Sequence, residues 1–319
     1  MTEHVRITDV SPRDGLQNEQ GVIPTTQKAR LVELLRATGV DEIEVSSFVS
    51  PKWVPQLGDA AEVFALIRSA PGDASFSALV PNAQGMEAAL EVNRGGDTPL
   101  IEKVSVFTAA SETFSKRNTN ATIAETLERF KPVIELAREE GLMVRGYVSC
   151  AIACPFEGPI APATVADVAC QLLDLGVDEV DLGDTIGAGT DPTVRAMLEE
   201  VIRTVGGLDE NEWGEPNVTV HLHDTFGHAA ECVLAALELG VRSFDGSVAG
   251  LGGCPYASTP GKRAPGNIST ELLVRTVHGA GFETGVALDK LEAAAVYARS
   301  IVAKARELGG AAGATGSGA

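Results

Sequence analysis

Gly39-Val40-Asp41-Glu42-Ile43-Glu44 returns later in the chain as Gly176-Val177-Asp178-Glu179-Val180-Asp181 and, more loosely, as Gly240-Val241-Arg242-Ser243-Phe244-Asp245. Each copy is a glycine suited to ending a helix, followed by an apolar run of strand length. The repeat puts Glu44, Asp181 and Asp245 at equivalent strand positions. A carboxylate inside such a run needs a partner or a polar barrel interior, so an inward salt bridge and a site role are both open for each.

Working outward from these copies, apolar runs alternate with amphipathic segments along the whole chain. Val5 to Val10 reads as a strand, and Thr25 to Thr38 as a helix with Leu31, Leu34 and Leu35 on one face. Further strands are predicted at Glu42 to Phe48, Ser75 to Val80, Lys103 to Phe107, Val144 to Ser149, Glu179 to Gly183, Val218 to His223 and Ser243 to Val248. Helices follow at Ala60 to Ile67 after Asp59, Ala83 to Val92 after Asn82, and Ile123 to Ala137 after Thr122, each preceded by a capping residue. Others cover Pro162 to Leu175, Pro192 to Val205, Gly227 to Leu239 and Thr270 to Val277, and Pro132 should kink or break its helix.

Eight βα units with short connections indicate an α/β fold closed into a (β/α)8 TIM barrel rather than an open doubly wound sheet. No Gly-x-Gly-x-x-Gly follows the first strand, which weakens the dinucleotide-binding alternative. We expect residues 1–285 to form the barrel, residues 286–308 to form a C-terminal helix packed on it, with Asp289 to Leu308 as its body, and the Gly/Ala-rich residues 309–319 to be disordered.

A chain of 319 residues with 44% hydrophobic content can bury a large core as one domain. A net charge of -19 with no basic run argues against nucleic acid as a partner. The N-terminus lacks a signal-peptide pattern and no apolar stretch is long enough to span a bilayer, so a soluble, cytoplasmic protein is expected. The five cysteines form no C-x-x-C pair, and Cys150 and Cys154 read as buried thiols in a reducing compartment.

In such a barrel, chemistry belongs at the carboxyl ends of the strands. His221 and His223 end the seventh strand, and side chains at i and i+2 share a face, so both imidazoles can reach one point. The first strand runs into Arg13-Asp14, a carboxylate for an ion and a fixed positive fork for an oxyanion, although a local salt bridge would explain the pair as well. After the eighth strand, Ala249-Gly250-Leu251-Gly252-Gly253-Cys254 brings a thiol on a glycine-rich loop that permits close backbone approach to a ligand. Asn267 offers either an amide oxygen to the ion or an N-cap to the last barrel helix.

With these residues assembled, the chain resembles the 3-hydroxy-3-methylglutaryl-CoA lyases, within a wider group of metal-dependent barrel lyases and acyl-CoA synthases. The resemblance runs from about Val5 to Leu308 through Pro12-Arg13-Asp14-Gly15-Leu16-Gln17-Asn18-Glu19, Ser47 to Gln56, Arg145-Gly146-Tyr147-Val148-Ser149-Cys150, Gly183-Asp184-Thr185-Ile186-Gly187, His221 to Thr225 and Ala249 to Tyr256. It implies a divalent cation, Mg2+ or Mn2+ first with Zn2+ also fitting, held by Asp14, His221, His223 and Asn267. It implies that Arg13, Gln17 and Tyr147 bind substrate, that Cys254 is the thiol acid, and that Glu44, Asp184 or His221 is the base. The implied reaction is retro-Claisen cleavage of an acyl-CoA thioester, 3-hydroxy-3-methylglutaryl-CoA, to acetyl-CoA and acetoacetate, by a homodimer.

The link from Tyr256 to Gly266, carrying Lys262 and Arg263, is longer than is usual in that family. Leu272 replaces a common acidic residue, and Gln20 stands where some relatives carry lysine. These departures leave open the same chemistry on a longer 3-hydroxy-3-alkylglutaryl-CoA. An acyl-CoA condensing synthase would be expected to carry a further regulatory domain after the barrel. An inactive metal-binding scaffold would have no need of Arg13 and Cys254 beside the ion.

Overall fold

The computed structural model describes residues 3–19, 21–69, 72–253 and 266–315, the last seven of them in backbone alone. Strands β1 (Arg6–Asp9), β2 (Glu42–Ser47), β3 (Ser75–Leu79), β4 (Lys103–Ala109) and β5 (Met143–Ser149) are followed by a short antiparallel hairpin, β6 (Ala153–Cys154) and β7 (Gly158–Pro159). Then come β8 (Glu179–Asp184), β9 (Val218–Leu222) and β10 (Ser243–Gly246). All but the hairpin pair in parallel and close as β1-β10-β9-β8-β5-β4-β3-β2. The eight predicted strands are these eight, and the fold is the TIM barrel.

Helices α1 (Thr25–Arg36), α2 (Ala60–Ile67), α3 (Ala83–Arg94), α4 (Glu112–Thr119), α5 (Ile123–Glu139), α6 (Pro162–Leu175), α7 (Asp191–Val205), α8 (Ala229–Glu238), α9 (Thr270–Gly279) and α10 (Leu288–Thr315) surround it. Asn82 caps α3 by accepting from Gly85 N, and Thr122 with Glu125 forms a capping box on α5. Asp59 does not cap α2. Its carboxylate is drawn to α1, where Thr25 Oγ1 donates at 2.7 Å and Lys28 Nζ at 2.8 Å. The α5 helix runs unbroken through Pro132. In α10 the backbone stays helical through Thr315.

Period-two alternation separates two environments. One set of strand residues, including Ile43, Val45, Val104, Val106, Val144, Val180, Leu182, Val218, Val220 and Phe244, is buried in a continuous apolar core with residues of the surrounding helices such as Leu31, Phe64, Phe130, Val165 and Leu198. The alternate residues are polar and equally buried, and they bond to each other across the barrel: Glu42, Lys103, Arg145, Glu179, Thr219, Ser243 and Asp245. Lys103 Nζ donates to Glu42 at 2.6 Å and to Glu179 at 2.9 Å, and also to Glu215 at 2.8 Å. Arg145 stands above it, 3.0 Å from Glu179 and 3.3 Å from Glu42, and reaches Asp245 at 3.1 Å on its other side. These pairs hold together an interior from which water is largely excluded, since each charge has a partner of opposite sign.

Candidate active site

β1 runs straight into a single π-helical turn, Ser11–Gly15, with Pro12 at its start. Asp9, the last residue of β1, anchors that turn. It accepts from Ser11 N at 2.9 Å, from Val248 N at 3.0 Å and from Thr270 Oγ1 at 2.6 Å, so the first turn, the loop after β10 and the start of α9 are tied to one carboxylate. That fixes Arg13 and Asp14 over the barrel mouth. Arg13 Nε donates to Glu44 of β2 at 2.5 Å and Nη1 to Asp14 at 2.9 Å, so the guanidinium is clamped between two carboxylates.

Ligand atoms of Asp14, His221 and His223 lie within 4.8 Å of one another. Asn267 joins them, its Nδ2 donating to Asp14 Oδ2 at 2.9 Å and to Leu251 O at 2.9 Å. The N-cap of α9 is Ser269, which accepts from Leu272 N, so Asn267 is released from that alternative role. Two buried lone-pair atoms of this group, His223 Nδ1 and Asn267 Oδ1, have no hydrogen-bond partner. Orphaned acceptors on two of four clustered donors are what a cation-binding set should show without its ion. Two imidazoles, one carboxylate and one amide oxygen suit a divalent first-row ion or Mg2+.

The electrostatics of Asp14 and His223 agree. Burial would raise the Asp14 carboxyl, but Arg13, the two imidazoles and the Asn267 amide bring it down to about 2, so it is a carboxylate at neutral pH. Burial, with His221 beside it, pushes His223 down to about 4 and keeps it neutral. For His221 burial acts in the same direction, but the Asp245 hydrogen bond and the charges of Asp245 and Asp14 outweigh it and raise the imidazole.

Around this cluster the structure gathers most of the residues expected there. Glu44 is fully buried, and burial keeps its carboxyl above the usual range despite Arg13; its Oε1 has no hydrogen-bond partner. Asp184 ends β8, and burial raises it to about 6 although Gly189 N and Ala188 N donate to it at 2.7 and 3.1 Å. Tyr147 packs under the Arg13 guanidinium, 5.3 Å from ring centroid to Cζ, and edge-on to His221 at 6.4 Å, with its buried hydroxyl unpaired. Gln17 is half-buried just past the π turn. Cys254, together with Tyr256, Lys262 and Arg263, lies outside the described residues.

The loop leading toward Cys254 makes one close approach. Gly252 has φ +102, and a Cβ there would lie 2.6 Å from Asn267 Nδ2 and 3.2 Å from Asp14 Oδ2, so glycine is required by both conformation and space. The sequence reading leaves the role of Asp245 open and misses that of Arg145. Asp245 accepts a hydrogen bond from His221, with Nδ1 to Oδ2 at 3.0 Å, and Arg145 holds Asp245. The repeat marks Asp245, and Arg145 sits two residues before Tyr147 on the same strand face, but nothing in the sequence pairs either with a histidine.

Comparison with known proteins agrees with this constellation. The pattern of the HMGL-like family matches residues 4–297. A 3-hydroxy-3-isohexenylglutaryl-CoA/hydroxy-methylglutaryl-CoA lyase of Pseudomonas aeruginosa is 47% identical over 291 residues, covering 91% of this chain and 90% of that protein. Among solved structures, the HMG-CoA lyase of Brucella melitensis superposes with a TM-score of 0.84 at 46% identity, covering 94% of this chain and 99% of its own. An HMG-CoA lyase of Acinetobacter baumannii solved with coenzyme A and 3-methylmalate gives 0.82 at 33% identity, over 94% and 92% of the two chains. With the match extending across the barrel and the residues of its mouth, the chain belongs to the HMGL-like family.

Proposed function

We propose that the protein is a carbon–carbon lyase that cleaves 3-hydroxy-3-methylglutaryl-CoA to acetyl-CoA and acetoacetate with the help of a divalent cation. The observation that carries this reading is the cluster of Asp14, His221, His223 and Asn267 with Arg13 clamped beside it, in a chain of the HMGL-like family. Those four residues would hold the ion, Mg2+ or Mn2+ first. When bound, it lowers the pKa of the substrate's tertiary hydroxyl and orients the bond to be broken.

Three groups compete for the hydroxyl proton, and their partners separate them. His221 has Nδ1 committed to Asp245 and would give its other nitrogen to the ion. Asp184 has both oxygens engaged by backbone N–H groups. Glu44 keeps Oε1 unpaired and is basic through burial, so we assign it the proton. As the hydroxyl becomes a ketone, the C2–C3 bond breaks and its electron pair passes to the thioester as an enolate. Arg13, fixed by Glu44 and Asp14, is assigned that developing charge, with Tyr147 stacked beneath it, and Tyr147 and Gln17 are assigned to substrate binding. Protonation of the enolate carbon by Cys254 completes acetyl-CoA.

The described cysteines Cys154, Cys170 and Cys232 are free thiols, which supports a reducing compartment, and we place the reaction in the cytoplasm. No helix among the described residues is long and apolar enough to cross a membrane. We take residues 1–285 as the catalytic barrel and 286–308 as a helix packed on it, with Leu291, Ala294, Ala298 and Ile301 in the shared core, and the working unit as a homodimer.

The test is acetoacetate release by the purified protein from 3-hydroxy-3-methylglutaryl-CoA, with and without Mg2+. A second arm uses a longer 3-hydroxy-3-alkylglutaryl-CoA, because the Pseudomonas aeruginosa relative is named for an isohexenyl substrate as well. Metal-stimulated cleavage of neither compound ends the lyase reading.

A further inference from the structure

His221 stands between two sets of groups. On one side are Asp14 and His223, and on the other its Nδ1 meets Asp245 Oδ2 at 3.0 Å. The second oxygen of Asp245 accepts from Arg145 Nη1 at 3.1 Å, and Arg145 is itself fixed by Glu179 and Glu42. His221, Asp245, Arg145, Glu179 and Glu42 are buried, so little solvent competes for the bonds among them. A neutral imidazole donates from one nitrogen and accepts at the other, whereas a carboxylate only accepts. Asp245 therefore places the proton on Nδ1 and the lone pair on Nε2. His223 has no such partner, and its Nδ1 is buried without a hydrogen bond.

Asp181, His221 and Asp245 also bring ligand atoms within 4.8 Å, but the His221 nitrogen on that side is engaged by Asp245, and the Arg145 guanidinium, 3.6 Å from Asp181 and 3.1 Å from Asp245, would repel a second cation there. This second group supports the first and is not another ion site.

We propose that Asp245, held by Arg145, is the positioning residue that selects the His221 tautomer and keeps Nε2 available to a divalent cation. The inference rests on the cation reading above, but it can be tested without substrate. It also makes a specific statement about an amide at this position. Arg145 can only donate, so in Asp245→Asn the amide oxygen must turn to Arg145 and the NH2 group to His221. Nδ1 is then forced to accept, the proton moves to Nε2, and the ligand atom is lost.

The experiment combines 15N-histidine NMR of the metal-free protein, with the His221 signals assigned by their loss in His221→Gln, and Mn2+ affinity measured by electron paramagnetic resonance. The wild type should carry the His221 proton on Nδ1. Asp245→Asn should carry it on Nε2 and bind Mn2+ about 10–100-fold more weakly, whereas a purely structural role would lower the melting temperature and leave both readouts alone. A wild-type proton on Nε2, or Mn2+ affinity of Asp245→Asn within about twofold of wild type, overturns the proposal. Should Asp245→Asn fail to fold, the wild-type tautomer decides it. A wild type that binds no Mn2+ removes both this proposal and the cation reading, while the expected NMR and Mn2+ results without thioester cleavage remove the lyase reading alone.

Discussion

One methyl group at Gly252 should dismantle the ion cluster without altering any of its four proposed ligands. An alanine Cβ at this position would lie 2.6 Å from Asn267 Nδ2, where ordinary contact needs roughly 3.5 Å, so the amide must retreat by roughly 0.9 Å. Asp14 Oδ2, at 3.2 Å from the same Cβ, must give as well. The φ of +102 adds about 1–3 kcal/mol of backbone strain for any L side chain. A displacement of this size in a catalytic constellation costs on the order of 100-fold in rate. We therefore expect Gly252→Ala to lower kcat/KM about 100-fold and to weaken Mn2+ binding at least about 10-fold, consistent with disturbed ligand support.

Gly250→Ala is the control, because it shares the positive φ, at +62, but its nearest neighbour would be Asn267 O at 3.4 Å, an ordinary contact. Both variants should lose melting temperature, Gly252→Ala the more, because its φ lies outside the left-handed region and its Cβ meets Asn267. Metal affinity, measured by competition with a chromophoric chelator, should fall in Gly252→Ala alone. Equal metal affinities in the two variants would refute the steric argument.

Asp14→Ala and His221→Ala should lose bound metal and turnover together, read as metal stoichiometry after gel filtration alongside acetoacetate release; retained stoichiometry would contradict the assigned donors. Cys254→Ser should lower turnover by orders of magnitude and leave metal content unchanged, which separates the acid from the ion in a single preparation. Lys103→Met leaves the buried Glu42 and Glu179 to Arg145 and Glu215 to Arg6, and should cost about 3–5 kcal/mol in urea unfolding at pH 7. Burial would raise Glu42, but Arg145 and Lys103 hold it at about 2 against 4.5 when unfolded. The unfolded chain thus binds the proton more readily between those values, so about 3 kcal/mol of stability is present above pH 4.5 and lost as pH falls toward 2. Lys103→Met should flatten that acid limb in a series of denaturant midpoints.

The barrel was legible because its repeat couples a helix-ending glycine to a strand with an inward carboxylate, and the structure puts Glu44, Asp181 and Asp245 in that interior. What those carboxylates do was not legible, because their partners come from other strands. Glu44 meets Arg13 from β1's turn, Asp245 meets Arg145 from β5, and Lys103 lies 61 residues from Glu42 and 76 from Glu179. The α4 helix escaped because Glu-Thr-Phe-Ser-Lys-Arg-Asn-Thr buries only Phe114 and Ser115, leaving no apolar stripe to detect. The hairpin of β6 and β7 is too short for alternation to register. Asp59 reads as an N-cap in sequence, and Thr25 and Lys28 on α1 outcompete the backbone for its carboxylate.

The hydrogen bond from Asn267 to Asp14 spans 253 residues of chain and joins the first βα unit to the last. The ion cluster is in that sense a clasp across the seam where β1 meets β10. A ribosome-bound chain that has not yet delivered Asn267 can offer neither the amide nor the Gly252 approach, so ion uptake at the proposed site would report ring closure rather than the folding of any one segment. On the proposed reading, the same geometry ties the timing of activity to the arrival of the last βα unit. A nascent barrel holds Arg13 and Asp14 early, yet becomes competent only when its final unit docks.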